Sequence, residues 1–263
     1  MIIVADNLQI THPAIDRAVR EMNPAPIQDL VRRCEAAGSQ AIDINSGPLT
    51  KDPEPKMTFL VETVQAVTDL PVFIDTANPR AMAAGLKANR KTAIINGFSL
   101  ESVKVAEILP LAREYDVDIV GYLLYENGHV PPDADGRLGV AVEVFEAART
   151  AGIDPDRLII DPIVAPVVWA DGTAQNRDIL AVLRQLPDLL GFPVRTMAGL
   201  SNLTTGAGPT DPKRLLERTY LPMLAASGLT YALLNVFHGE TVQTAKACDV
   251  MMTEGVFSWN SVE

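Results

Sequence analysis

Short runs of apolar, often β-branched residues recur along the whole chain, at residues 2–5, 41–44, 72–74, 92–95, 118–124, 158–160, 194–198 and 232–234. Most are continuously apolar rather than alternating, the pattern of parallel strands covered on both faces. Between them, apolar residues return at helical spacing. Pro26 opens one such segment and Gly38 stops it. Residues 57–68 carry Phe59, Leu60, Val64 and Val67 on one stripe. Pro79 starts another helix at the first-turn position, where its missing N–H does no harm. Further helices are expected over residues 102–115, 138–151, 176–186, 212–226 and 240–251.

Strands alternating with helices form either a closed barrel or an open doubly wound sheet. Eight strands in 263 residues favour the (β/α)8 TIM barrel. No G-x-G-x-x-G follows the first strand, where a dinucleotide-binding sheet would carry it. With no linker, low-complexity stretch or tandem repeat, residues 1–263 read as a single α/β domain. The longest loops, 48–56, 126–137 and 165–175, follow strands two, five and six. That end of the strands is where barrels place their active sites.

Composition narrows the function classes. Hydrophobic residues make up 48% and charged residues 21%, which fits a globular chain. A formal net charge of -11 opposes binding to phosphate backbones and anionic lipid, so neither nucleic acid nor membrane is expected as a partner. The N-terminus lacks the basic start and apolar run of a signal peptide, and no apolar stretch approaches a membrane span. Two cysteines, Cys34 and Cys248, each in a helical segment, read as free thiols. A cytoplasmic location is expected from these features together.

Reading the residue at each strand end yields a ring of carboxylates and amides. Strand one ends at Asp6-Asn7, strand two through Asp43-Ile44-Asn45, strand three at Asp75, strand four at Asn96 and strand six at Asp161. Strand seven runs into Gly199-Leu200-Ser201-Asn202, and strand eight ends at Asn235, with His238 just after. Any one Asp or Asn after a strand could equally cap a helix or make a turn. So many on one face point to a binding ring. No Lys or Arg stands at a strand end, as a phosphate or carboxylate head would require. Gly206-Ala207-Gly208 reads as a loop ahead of Pro212 rather than a phosphate cradle. His12, His129 and His238 are scattered, read as surface or packing residues, and have no metal-ligand spacing, so no metal is expected. The ring suits a neutral heterocycle rich in N–H donors. A pterin presents N3–H and a 2-amino group side by side, and one carboxylate accepts both.

At these residues the chain resembles the methyltetrahydrofolate:corrinoid protein methyltransferases, a branch of the pterin-binding barrels that includes dihydropteroate synthase. The resemblance is carried by Asp43-Ile44-Asn45-Ser46-Gly47-Pro48, Ile74-Asp75-Thr76-Ala77-Asn78, Ala93-Ile94-Ile95-Asn96, Ile160-Asp161-Pro162-Ile163 and Gly199-Leu200-Ser201-Asn202, in order and nearly end to end. It implies that Asp75, Asn96 and Asp161 anchor the pterin and that Asp43 and Asn45 belong to the same site. It makes Asn202 the catalytic residue, reaching N5 of the pterin, with Gly199 and Ser201 shaping that wall. The implied substrate is methyltetrahydrofolate or tetrahydrofolate. Cobalamin would be carried by a separate corrinoid protein, since nothing here resembles the Asp-x-His-x-x-Gly cobalamin motif. The resemblance also implies a homodimer.

The first strand departs from the family, which ends it Glu-Arg-Ile-Asn where this chain has Asp6-Asn7-Leu8-Gln9. Asp6 is one methylene short of that glutamate, Gln9 one long of that asparagine, and the arginine is missing. Dihydropteroate synthase has a Ser-Arg-Lys after strand seven, an Arg-Pro-Gly in loop two and an Asn-x-Thr-x-Asp-Ser-Phe after strand one. This chain reads Ser201-Asn202-Leu203, Gly47-Pro48-Leu49 and Asn7-Leu8-Gln9-Ile10-Thr11 there. A dihydropteroate synthase-like enzyme and a non-catalytic pterin-binding scaffold subunit are the competing readings. The direction of methyl transfer and the choice of folate or methanopterin tail stay open.

Overall fold

The structure, a computed structural model, describes residues 1–252 and residue 259. Eight parallel strands, β1 (Ile2–Gln9), β2 (Ala41–Asn45), β3 (Val72–Asp75), β4 (Ala93–Phe98), β5 (Asp118–Tyr122), β6 (Leu158–Asp161), β7 (Arg195–Gly199) and β8 (Tyr231–Leu234), close in sequence order into a barrel. The expected (β/α)8 TIM barrel is therefore the fold. The helices are α1 (Pro13–Arg20), α2 (Ala25–Ala36), α3 (Pro53–Gln65), α4 (Pro79–Ala88), α5 (Ser102–Glu107), α6 (Leu109–Glu114), α7 (Ala134–Thr150), α8 (Gly172–Leu190), α9 (Thr210–Ala225) and α10 (Gly239–Met252). None is long and apolar enough to cross a membrane.

Each strand contributes one side chain to the apolar plug inside the barrel: Val4, Ala41, Phe73, Ile94, Val120, Ile159, Met197 and Tyr231. Phe73 and Tyr231 meet edge to face there, ring centroids 5.7 Å apart. Below Tyr231, Arg195 pairs with Asp118 at 2.7 Å, at the end of the barrel that serves stability. The outward-facing strand residues, such as Ile42, Ile44, Ile74 and Ile95, pack against the helices. Because a strand alternates faces, the residue two beyond each plug position points inward again, one layer higher. Those residues are Asp6, Asp43, Asp75, Asn96, Tyr122, Asp161, Gly199 and Leu233. The pleat itself lifts the polar ring above the plug. In register, Asn45 lies beside Asp75, Asp75 beside Asn96, and Tyr122 beside Asp161.

Several boundaries differ from the sequence pattern. β1 continues to Gln9, with a register shift between Ala5 and Leu8, so Asp6 and Asn7 lie within the strand rather than after it. The sequence pattern does not anticipate α1, whose eight residues bury only Ile15, Ala18 and Val19. The helix expected over 102–115 is two, because Pro110 sits in the first turn of α6 and cannot continue α5. α7 starts four residues early, where the Asp133 side chain caps the Gly136 N–H at 2.8 Å. Cys34 is buried in α2 and Cys248 half-buried in α10, both free.

Candidate functional site

Strands β2 to β6 carry one part of the expected ring. Asn45 donates from Nδ2 to Asp75 Oδ2 at 2.7 Å. Across the barrel from β4, Asn96 donates from Nδ2 to Asp43 Oδ1 at 2.9 Å. Tyr122 on β5 donates its hydroxyl to Asn96 Oδ1 at 2.8 Å. These two contacts fix which way the Asn96 amide faces and leave it one N–H to offer. Asp161 accepts the Ile163 N–H at 2.8 Å through Oδ1, and its other oxygen has no protein partner among the described residues. Asp43 Oδ2 is buried with no hydrogen-bond partner among the described residues. An orphaned buried oxygen calls for a missing donor.

The ring is electrostatically crowded. Burial pushes Asp161 up to about 7, against the pull of the Ile163 N–H. Burial, with the charge of Asp6 behind it, raises Asp75 to about 7, while Lys104 opposes the rise. Asp43 is held well above the usual carboxylate range by burial first and by Asp75 second. Tyr122 stands among Asp75, Asp161 and Asp43, and burial together with their charges keeps its hydroxyl protonated. Tyr122 is absent from the ring expected from sequence, although it lies two residues above a plug position as Asp161 does.

The loop after β6 is held from behind. Ile163 adopts φ 62°, a left-handed conformation that β-branched residues rarely take. Arg137, fully buried on α7, donates from Nε to the Pro162 carbonyl at 3.0 Å and from Nη2 to Gln175 at 2.8 Å. It thereby fixes the turn that aims Asp161. Its position in a loop-plus-helix segment gave no hint of this in the sequence.

On the opposite wall, the ends of β1, β7 and β8 carry the remaining candidates. Ser201 donates to Asp6 Oδ2 at 2.7 Å, and Gln9 donates to Asp6 Oδ1. The two divergent residues of the first strand therefore bond to each other. Burial raises Asp6, though both hydrogen bonds oppose the shift. Asn202 sits in the 3-10 turn Leu200–Thr204. It is exposed, and its side-chain amide makes no hydrogen bond among the described residues. The amide folds over Gly199, where an added Cβ would lie 3.1 Å from Nδ2. Gly199 is thus the floor on which Asn202 rests. Glu217, buried on α9, accepts from Thr204 and lies 3.6 Å from His238 Nδ1. That contact gives His238 a charged partner beyond the packing expected from sequence.

A cavity of about 1030 Å3 opens against Asp6, Ser201 and Asn202 and runs outward past Glu217, Arg33 and Phe237. Asp75, Asn96 and Asp161 do not line it. Asn96 is 2% and Asp161 5% exposed, while Asp75 is half-buried. Gly206-Ala207-Gly208 forms the approach to α9, and Lys213 donates to the Gly206 carbonyl. Among the described residues no group of three His, Cys, Asp or Glu is placed to hold a metal ion. Carboxylate acceptors on one wall and an unused amide on the other suit a flat ligand with clustered N–H donors and one further polar edge.

Comparison with known proteins gives the chain's family and its fold relatives. The family described as pterin binding enzyme matches residues 14–233. A methylcorrinoid:tetrahydrofolate methyltransferase of Eubacterium limosum is 22% identical over 256 residues, covering 96% of this chain and 91% of that protein. Methionine synthase of Mycobacterium tuberculosis is 21% identical over 221 residues, which are 79% of this chain but 18% of that much longer protein. Dihydropteroate synthase of Xanthomonas albilineans superposes with a TM-score of 0.69 at 22% identity, covering 97% of this chain and 94% of that one. The Stenotrophomonas maltophilia dihydropteroate synthase gives 0.70 at 19% identity with the same coverage. These structural likenesses establish the barrel and no more.

Proposed function

This chain belongs to the family of pterin-binding enzymes, and from that premise we propose that it moves the N5-methyl group between methyltetrahydrofolate and the cobalt of a corrinoid carried by a separate protein. The observation that carries the proposal is Asn202: an amide with no hydrogen-bond partner among the described residues, seated on Gly199 and lining the cavity. A dihydropteroate synthase would instead present cations after strand seven. Here Ser201 and Asn202 occupy that turn, and Asp6 takes the serine hydroxyl.

In this reading Asp161 accepts N3–H and the 2-amino group of the pterin. Asp75 and the orphaned Asp43 oxygen accept further N–H donors, and Asn96 offers its free N–H to a ring acceptor. These contacts hold the ring with N5 toward Asn202. The corrinoid supplies the nucleophile that takes the methyl carbon. The chain's own task lies at N5, which leaves poorly as an anion. As the carbon–nitrogen bond breaks, the electron pair falls to N5 and a proton arrives there from solvent in the cavity. The Asn202 carbonyl accepts the N5–H that forms, so the contact is strongest where charge develops. The same residues serve transfer in either direction.

Incubating the chain with methyl-labelled methyltetrahydrofolate and cob(I)alamin tests the proposal. Label should pass to the corrinoid and tetrahydrofolate should accumulate. Binding of the pterin without any transfer would leave a scaffold and refute the enzymatic reading. A homodimer belongs to the same proposal, and light scattering should give twice the chain mass of 28.4 kDa.

A further inference from the structure

In a tetrahydropterin the side chain leaves from C6, the ring atom bonded to N5. If N5 sits at Asn202, the side chain begins at the edge where the 1030 Å3 cavity opens. Pockets of roughly 300–1,000 Å3 enclose most of a drug-sized ligand, so there is room here for far more than the ring. Asp6, Asp29 and Glu217 line the cavity, and Arg33 on α2 is the one Lys or Arg among its lining residues.

Arg33 stacks on an aromatic ring. Its guanidinium carbon lies 4.7 Å from the ring centroid of Phe237. Stacking of this kind leaves the in-plane N–H donors pointing outward. Those donors make no hydrogen bond among the described residues, and the only ion pair is a long 3.7 Å contact to Asp29. Phe237 is itself fixed to the barrel mouth. Its N–H donates to Asn235 Oδ1 at 3.0 Å, the same oxygen accepts Asn7 Nδ2 at 2.7 Å, and the Val236 N–H donates to Asn7 Oδ1 at 3.0 Å. A guanidinium planted on an anchored aromatic ring, with donors that its long contact to Asp29 does not engage in a hydrogen bond, fits an aryl group ending in a carboxylate.

We propose that the groove between α2 and the turn after β8 holds the aryl carboxylate tail of the pterin substrate, with Arg33 binding a carboxylate and Phe237 lining the passage for the aryl ring. This rests on the pterin site proposed above. It selects a substrate whose tail carries carboxylates, as a folate does, over one whose tail is a neutral polyol.

Calorimetry with two ligands tests it: methyltetrahydrofolate, and 6-methyltetrahydropterin, which has the ring but no tail. The unaltered chain should bind the folate more tightly. Arg33→Ala should weaken the folate about tenfold, the loss of a charge-assisted contact in a partly exposed site. It should leave the tail-less pterin unchanged within about twofold. Phe237→Ala should show the same selectivity with a smaller loss. Unchanged folate affinity in Arg33→Ala would overturn the assignment, as would equal losses for both ligands. If the unaltered chain binds both ligands equally, the tail site falls while the pterin site stands. If it binds neither, the pterin site falls and takes the tail site with it.

Discussion

Replacing Asp161 by asparagine should stabilise the free chain above neutral pH while weakening its grip on the pterin. Asp161 is 5% exposed and has one hydrogen bond, from the Ile163 N–H. Its carboxyl is raised from 3.8 to about 7. The folded chain therefore keeps a proton that the unfolded chain has lost, and this group's contribution to stability falls as pH rises from 3.8 to about 7. Each unit across that window is about 1.4 kcal/mol, so between pH 5 and pH 8 the loss is about 2.5 kcal/mol. Asparagine keeps the acceptor for Ile163 and has no charge to bury. The melting temperature of Asp161→Asn relative to the unaltered chain should gain roughly 5–10 °C on going from pH 5 to pH 8. The assay is thermal unfolding of both chains at the two pH values. A difference in melting temperature that does not change with pH would refute the claim that Asp161 is a desolvated acid.

Tyr122→Phe should leave Asn96 Oδ1 without its donor, free the amide to turn, and weaken pterin binding about 5- to 100-fold by calorimetry. Gly199→Ala places a Cβ 3.1 Å from Asn202 Nδ2, so methyl transfer should slow about tenfold while the barrel keeps its melting temperature. Because the pterin donates to carboxylates that are raised to about 7 in the free chain, affinity should rise between pH 6 and pH 8. Titration in two buffers of different ionisation heat should show proton release at the lower pH, and pH-independent affinity would contradict the assigned acceptors.

The ring was legible in the sequence because the pleat ties it to the plug: Ile159 and Asp161, or Ile94 and Asn96, differ by two residues and therefore by one layer. Tyr122 obeys the same rule, yet a tyrosine inside the apolar run 118–124 reads as strand content. The Asn96 to Asp43 bond joins non-neighbouring strands across the barrel, and no local pattern encodes it. Asp6 and Asn7 were placed beyond their strand because a register shift in β1 breaks the apolar run without ending the pairing. α1 escaped notice for want of length, since two turns give too few apolar positions to establish a period. The cavity's outer wall, from Arg33 on α2 to Phe237 after β8, joins residues from opposite ends of the chain. Only barrel closure between β1 and β8 makes them neighbours.

The most direct measurement of the central claim is a rapid-mixing single-turnover experiment with cob(I)alamin and methyltetrahydrofolate, comparing the unaltered chain with Asn202→Ala beside a binding titration. If Asn202 stabilises N5 as it gains its proton, the transfer step should slow by about 10²–10³, the loss typical of one preorganised partner, with affinity changed far less. A transfer step that keeps its rate once ligand is saturating, with the whole loss in affinity, would contradict the account.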